Sequence, residues 1–284
     1  MSQNVQNHRL RHFAFGRPVI FSILVILVSG LLTEIPFNLI FESWLDAPAP
    51  ELLQVTSGHT IMGLVLVWLL VKLGMLKDAR FTHPREWRAV WLIWPFLLFT
   101  LLNLEEVISG KLEIDTSWPG LIILFILLNL SIGFAEEVMA RGVVLNLLLR
   151  KWGDSRQGVY GAVLVSALLF GAAHLFNLIT GHLPPLAALT QIGYSIAFGV
   201  VFAACFLRNN SIWPVIIMHA AVDFAGGLRH IRVGGANQTP VANNTIEAAI
   251  TALIISVPLL LYGLFILRKV EPRDRGDQAT IEIA

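Results

Sequence analysis

The chain has 284 residues, of which 56% are hydrophobic and only 14% are Asp, Glu, Lys or Arg, and its net charge is +1. A soluble domain carries about 25% charged residues, so this chain lacks the charge to cover a water-facing surface. The near-neutral balance also excludes the basic face that nucleic acid requires, leaving a polytopic membrane protein built from apolar runs of about 20 residues.

In chain order the apolar runs are 18–41, 57–76, 89–108, 118–149, 159–180, 186–207, 211–227 and 246–268. They are continuously apolar rather than alternating, which predicts helices and argues against a barrel. The expected fold is therefore an all-α membrane protein, an eight-helix transmembrane bundle. Its domain organisation reads as a cytoplasmic segment 1–17, a transmembrane domain 18–268 and a cytoplasmic tail 269–284. The first 12 residues and those after about 270 are polar and expected to be loosely ordered. The first run follows His8, Arg9, Arg11, His12 and Arg17, as in a signal peptide. It lacks a small-residue cleavage site and is expected to be a retained span.

Lys and Arg set the orientation. The N-terminal stretch is basic, whereas 42–56 carries Glu42, Asp46 and Glu51 and no Lys or Arg. Lys77, Arg80, Arg85 and Arg88 follow the second run, Arg150, Lys151 and Arg156 the fourth, Arg208 the sixth, and Arg268, Lys269, Arg273 and Arg275 the eighth. The alternation predicts a multi-pass protein of the plasma membrane with both termini cytoplasmic. Arg229 and Arg232 are the exception, on the expected outer side. Cys205 is the sole cysteine and is expected to fill space in a helix.

Ionisable groups inside a span are costly and mark candidate functional sites. Three clusters qualify. In the fourth run, Glu136, Glu137 and Arg141 interrupt an apolar stretch. Glu137 and Arg141 are four apart and share a helix face, so they should pair. Glu136 lies about 100° round the helix and is left free to act between helices. In the fifth run, Ala162, Ser166, Phe170 and His174 recur every four residues, a stripe whose small members let a neighbour approach closely. In the seventh run, His219 and Asp223 are four apart, beyond a helix start marked by Pro214. Glu136, His174 and His219 are expected between mid-membrane and the cytoplasmic half. Glu34, Glu105 and Glu106 fall at outer span ends, and His59, His83 and His182 also lie near span ends, where a hydrated histidine needs no special role. Trp44, Trp87, Trp91 and Trp118 sit where an aromatic belt would place them.

A glutamate and two histidines around one cavity suit activation of water. Glu136 can act as general base, His174 can orient the water, and His219 can donate to a developing oxyanion. Alternatively, Glu136, His174, His219 and Asp223 form a nitrogen and oxygen set that suits zinc or another divalent metal. Spacing alone allows both.

Glu-Glu-x-x-x-Arg at 136–141, Phe-x-x-x-His at 170–174 and His-x-x-x-Asp at 219–223 together resemble the CAAX-protease and bacteriocin-processing family, also called the abortive-infection family. These are intramembrane endopeptidases of glutamate or metal type, and the motif region covers 118–227. The resemblance implies a conical cavity open to cytoplasm and membrane in which Glu136 and His174 activate water. It further implies that Glu137 and Arg141 support the site and that His219 with residue 223 serves the oxyanion side. The implied substrate is a peptide or protein cut near its C-terminus or in its membrane-embedded part. Eukaryotic members remove the last three residues of prenylated proteins, so a lipid-modified substrate is implied. The pattern there has Asn where this chain has Asp223; ionised Asp cannot donate to an oxyanion, which favours orienting His219 or holding a metal.

Two other classes compete. A proton-coupled transporter would also use intramembrane Glu and His, but would show internal repeats and matching interrupted helices; here the polar residues lie in one half. A non-catalytic immunity or scaffold protein with the same fold would be expected to lose Glu136, His174 or His219, and this chain has all three.

Overall fold

The structure is a computed structural model describing residues 2–46, 48–85, 87–233 and 244–273. The helices in chain order are α1 (Ser2–Gly16), α2 (Pro18–Thr33), α3 (Asn38–Phe41), α4 (Ala49–Leu73), α5 (Trp87–Val90), α6 (Trp94–Asn103) and α7 (Glu105–Ile108). Next come α8 (Pro119–Glu137), a π-helical segment Val138–Leu145, α9 (Asn146–Trp152), α10 (Arg156–Ala173), α11 (Leu175–Ile179), α12 (Pro185–Asn209), α13 (Trp213–Gly227) and α14 (Ile246–Leu267). Among the described residues there is no strand, only an isolated bridge between Ile114 and Arg232.

Proline opens several of these helices. It stands in the first turn of α2, α4, α6, α8, α12 and α13, where its missing N–H costs no intrahelical bond. Ser155 and Thr245 start α10 and α14 by accepting from Gly158 N and Ala248 N. Gly74 ends α4 at φ +70°, a left-handed cap that only glycine adopts without strain.

Among the described residues, six helices are long and apolar enough to cross a membrane: Pro18–Phe41, Ala49–Leu73, Pro119–Trp152, Arg156–Ile179, Pro185–Asn209 and Ile246–Leu267. Two of the eight expected spans are shorter. The 89–108 run breaks into a 3₁₀ turn at Trp91–Ile93 and α6 and α7, because Pro95 has no N–H to continue the preceding turn. The 211–227 run is α13, whose 15 residues reach about 22 Å. Residues 2–12, within the stretch expected to be loosely ordered, are helical instead as part of α1. Arg11 donates to the Lys72 carbonyl and Ala14 is fully buried, which ties α1 to the bundle.

The loops sort to two ends. At the basic end, Arg150 and Arg273 reach Asp78, Arg85 N bonds Asn209 O, Ile212 N bonds Arg80 O, and Arg273 N bonds Gly153 O. At the other end, Asn38 N bonds Gln54, His182 faces Glu34, and Asp115 N bonds Ile231 O. Arg229, exceptional in the charge pattern, is paired there with Glu106. Outward faces of α2 and α14 expose Leu24, Leu27, Ile254 and Leu261, as helices against lipid do. The core centres on α12, buried without interruption from Ala197 to Phe206, with Cys205 as a filled position.

Candidate active site

The site begins where α8 changes its winding. Glu136 and Glu137 are its last residues, and the eight that follow are π-helical. π turns are rare and concentrate at functional sites. Widening the turn displaces carbonyls from their usual partners, and side chains receive them here. Asn146 Nδ2 donates to the carbonyls of Arg141 and Gly142, and Ser166 Oγ to that of Ala140. Ser166 belongs to the small-residue stripe on α10, so that stripe does face a neighbouring helix.

The expected clamp is present. Arg141 Nη1 donates to Glu137 Oε1 at 2.8 Å, with both side chains excluded from solvent. Arg141 Nη2 reaches the Gly199 carbonyl at 3.3 Å, and its guanidinium lies over the rings of Phe170 and Phe202. A cation taken out of water is thus held by a carboxylate, a carbonyl and two aromatic faces.

His219 arrives on α13 because Gly133 lets that helix close on α8. A Cβ at Gly133 would lie 2.9 Å from Ile216 O and 3.0 Å from Ala220 N, so no larger residue fits without displacing backbone. His219 Nδ1 stands 2.7 Å from Glu137 Oε1, the oxygen that also holds Arg141. A carboxylate only accepts, so Nδ1 carries a proton and the ring is oriented. Nε2 then faces Asp223 Oδ2 at 3.3 Å and Glu136 Oε2 at 3.7 Å. Phe202 stacks on the imidazole at 5.5 Å and Phe170 meets it edge-on. Glu136 Oε2 is buried and has no hydrogen-bond partner among the described residues.

His174 is the residue at which α10 stops before α11 resumes. It packs edge-on against Phe170, within electrostatic reach of His219 and Asp223. It lies at the end of α10 remote from Arg156, hence away from the basic end. The helix reaches that far because Arg156 already begins it at the loop.

Glu136, Glu137, Phe170 and Asp223 therefore gather round the His219 imidazole, with Arg141 on Glu137 and His174 beside Phe170. Among the described residues no group of three or more His, Cys, Asp or Glu is placed to hold a metal ion. His219 Nδ1 is committed to Glu137, and His174 stands against Phe170. The set Glu136, His174, His219 and Asp223 is thus close together without converging as ligands.

Three neighbours were not singled out from the sequence. His59, read as a span-end histidine, comes from α4 to within electrostatic reach of Asp223 and His219, with Nδ1 held by the Val55 carbonyl. Tyr194 on α12 is likewise in electrostatic contact with Asp223 and Glu136. Phe202 is the third, and the spacing of Tyr194, Phe198 and Phe202 four apart is the signal that marked this face of α12.

No curated protein and no solved structure matches the chain. Residues 118–225 match the family model described as type II CAAX prenyl endopeptidase Rce1-like. Every residue of the constellation from Glu136 to Asp223 lies within that segment, and the match agrees with the CAAX-protease family that its three motifs resemble.

Proposed function

We propose that the protein is an intramembrane endopeptidase that hydrolyses a peptide bond with water activated by Glu136 and His174. The observation that carries this reading is a buried Glu136 oxygen without a hydrogen-bond partner, facing an imidazole whose other nitrogen is held by Glu137. Such a carboxylate is placed to take a proton from water as the water oxygen bonds to the scissile carbonyl carbon. The carbonyl oxygen then carries negative charge, and His219 Nε2–H is the donor nearest to receive it. That donor form is the imidazolium, whose charge Glu137 offsets, so the donor is oriented before the reaction begins. As the C–N bond breaks, the proton held by Glu136 passes to the leaving amine. Asp223 accepts from His219 Nε2 in the resting site and keeps the ring in place. The substrate is a peptide or protein, and the family description points to one lipid-modified near its C-terminus.

A second reading adds a divalent ion such as zinc, because a carboxylate 3.3 Å from an imidazole nitrogen suits a cation. No step is assigned to it, since no three donors converge among the described residues. Proton-coupled transport is the third reading, and it predicts proton flux without cleavage.

The eight-crossing topology is part of the proposal. The loops before and after α6 and α13 lie at opposite ends of the bundle, which supports a crossing by each short helix although neither spans 30 Å alone. With the basic end in the cytoplasm of a plasma-membrane protein, tags at residues 1 and 284 should both report cytoplasm. An external reading at either terminus breaks the model.

The deciding experiment is cleavage of a membrane-peptide library by the purified protein in detergent. Glu136→Gln and His174→Ala are each expected to lower cleavage by about 10²–10⁴-fold or more while the protein still inserts and folds. Wild-type activity in Glu136→Gln would refute the assignment.

A further inference from the structure

A groove of about 1040 Å³ opens on the flank of the bundle at the basic end, between the start of α10 and the end of α14, remote from Glu136. Its rim carries Arg156, Arg268 and Lys269, and its wall runs along Tyr160, Gly161 and Leu164. The two helices are tied together here by their own polar groups. The Arg156 guanidinium donates to the Arg268 carbonyl, and the Tyr160 hydroxyl donates to the Leu264 carbonyl at 3.3 Å. Carbonyls at a helix C-terminus that would repel an anion are in this way occupied.

Arg150 and Arg273 share Asp78 nearby, but no ion pair involves Arg156, Arg268 or Lys269 among the described residues. Arg268 instead lies over the exposed ring of Phe265. The amino end of α10, with its own partial positive charge, faces the same rim. Below the rim the wall is apolar. A Cβ at Gly161 would meet nothing within 4 Å, and Leu164 is 39% exposed. A glycine inside a helix is destabilising relative to alanine, and here it leaves open space directly beneath three cations.

We propose that this groove binds an anionic phospholipid, its phosphate on Arg156, Arg268 and Lys269 and an acyl chain along Gly161 and Leu164. A soluble phosphate would use the rim and leave the apolar wall uncovered, whereas a lipid uses both. Basic pockets between helices on the cytoplasmic side are suited to such headgroups. The cations at headgroup depth should favour an anionic over a zwitterionic lipid by about a hundredfold.

The test is lipid retention by the full-length protein in nanodiscs, read by native mass spectrometry and by the shift in Tm. Phosphatidylglycerol is compared with phosphatidylcholine of the same acyl chains. The wild type should retain phosphatidylglycerol preferentially and gain Tm from it. Arg156→Gln, Arg268→Gln and Lys269→Gln combined should remove the preference, so that the Tm of the variant is the same in the two lipids. Gly161→Leu fills the wall, keeps all three cations, and should weaken retention by itself. Should the triple variant fold poorly, Gly161→Leu decides alone, since its side chain enters open space. Equal retention of the two lipids by the wild type, or wild-type retention by both variants, would overturn the proposal. So would displacement of the lipid by glycerol phosphate, or crosslinks from position 161 to a second copy without retained lipid.

Discussion

Two carboxylates in this molecule each hold two basic side chains, in opposite surroundings. Glu137, with Arg141 and His219, lies in the dry centre of the bundle, where the three side chains are 0%, 1% and 10% exposed. Asp78, with Arg150 and Arg273, joins the loops at the basic end, where the three are 20%, 17% and 31% exposed. The bond lengths are similar, 2.8 Å for Arg141 to Glu137 and 2.6 Å for Arg150 to Asp78. What differs is the cost of breaking them. An unpaired charge at Arg141 has no water to turn to, whereas one at Arg150 does. Similar geometry therefore serves to position a ring in one place and to gather loops in the other.

The largest effect is expected at Glu137. Glu137→Gln keeps the shape but strands Arg141, and should cost about 3–5 kcal/mol in unfolding free energy. Changing Arg141→Met as well removes the stranded charge. The double variant should be more stable than either single one, and a loss equal to the sum of the two would show that they are not partners. Cleavage should still be impaired in the double variant, because a neutral Gln offsets the His219 imidazolium less well.

The next effect is expected at Asp223, 35% exposed and opposite the free face of His219. In a metal-free site, Asp223→Asn still accepts from Nε2 and can also donate to an oxyanion. Activity is then expected to be kept or to rise, and to be indifferent to exhaustive chelation. If a divalent ion shares the site, the same change should cost about 10–100-fold in activity, tracking bound metal measured by elemental analysis.

The smallest effect belongs to Asp78. Asp78→Asn should change stability by no more than about 1 kcal/mol and leave cleavage unaltered. That loss should shrink at high salt, as a partly solvated pair is screened, whereas the Glu137→Gln loss should be nearly independent of salt. A salt-insensitive loss of several kcal/mol at Asp78 would erase the distinction drawn between the two clusters.

Much of the site was legible because its members break a rule that the rest of the chain obeys. Glu136, Glu137, Arg141, His174, His219 and Asp223 are titratable residues in runs where lipid allows few. The Glu137–Arg141 bond followed from a spacing of four along one helix, a local relation that survives folding. His219 bonding the same oxygen did not follow, because the two residues are 82 apart and meet only where Gly133 lets α8 and α13 touch. His59 was set aside for the same reason. Nothing near it in the chain tells that α4 brings it toward Asp223.

The sequence by itself determined the membrane setting, the all-helical build, the alternation of basic and poorer ends and the residue types available for chemistry. Composition and periodicity act along one chain segment at a time, and the bilayer enforces them strongly. Only the tertiary structure decided that α6 and α13 are short, that the helix after Glu137 widens into a π turn, and that one imidazole faces three carboxylates. Those outcomes depend on how closely helices pack, which a glycine such as Gly133 permits and only its neighbour across the bundle puts to use.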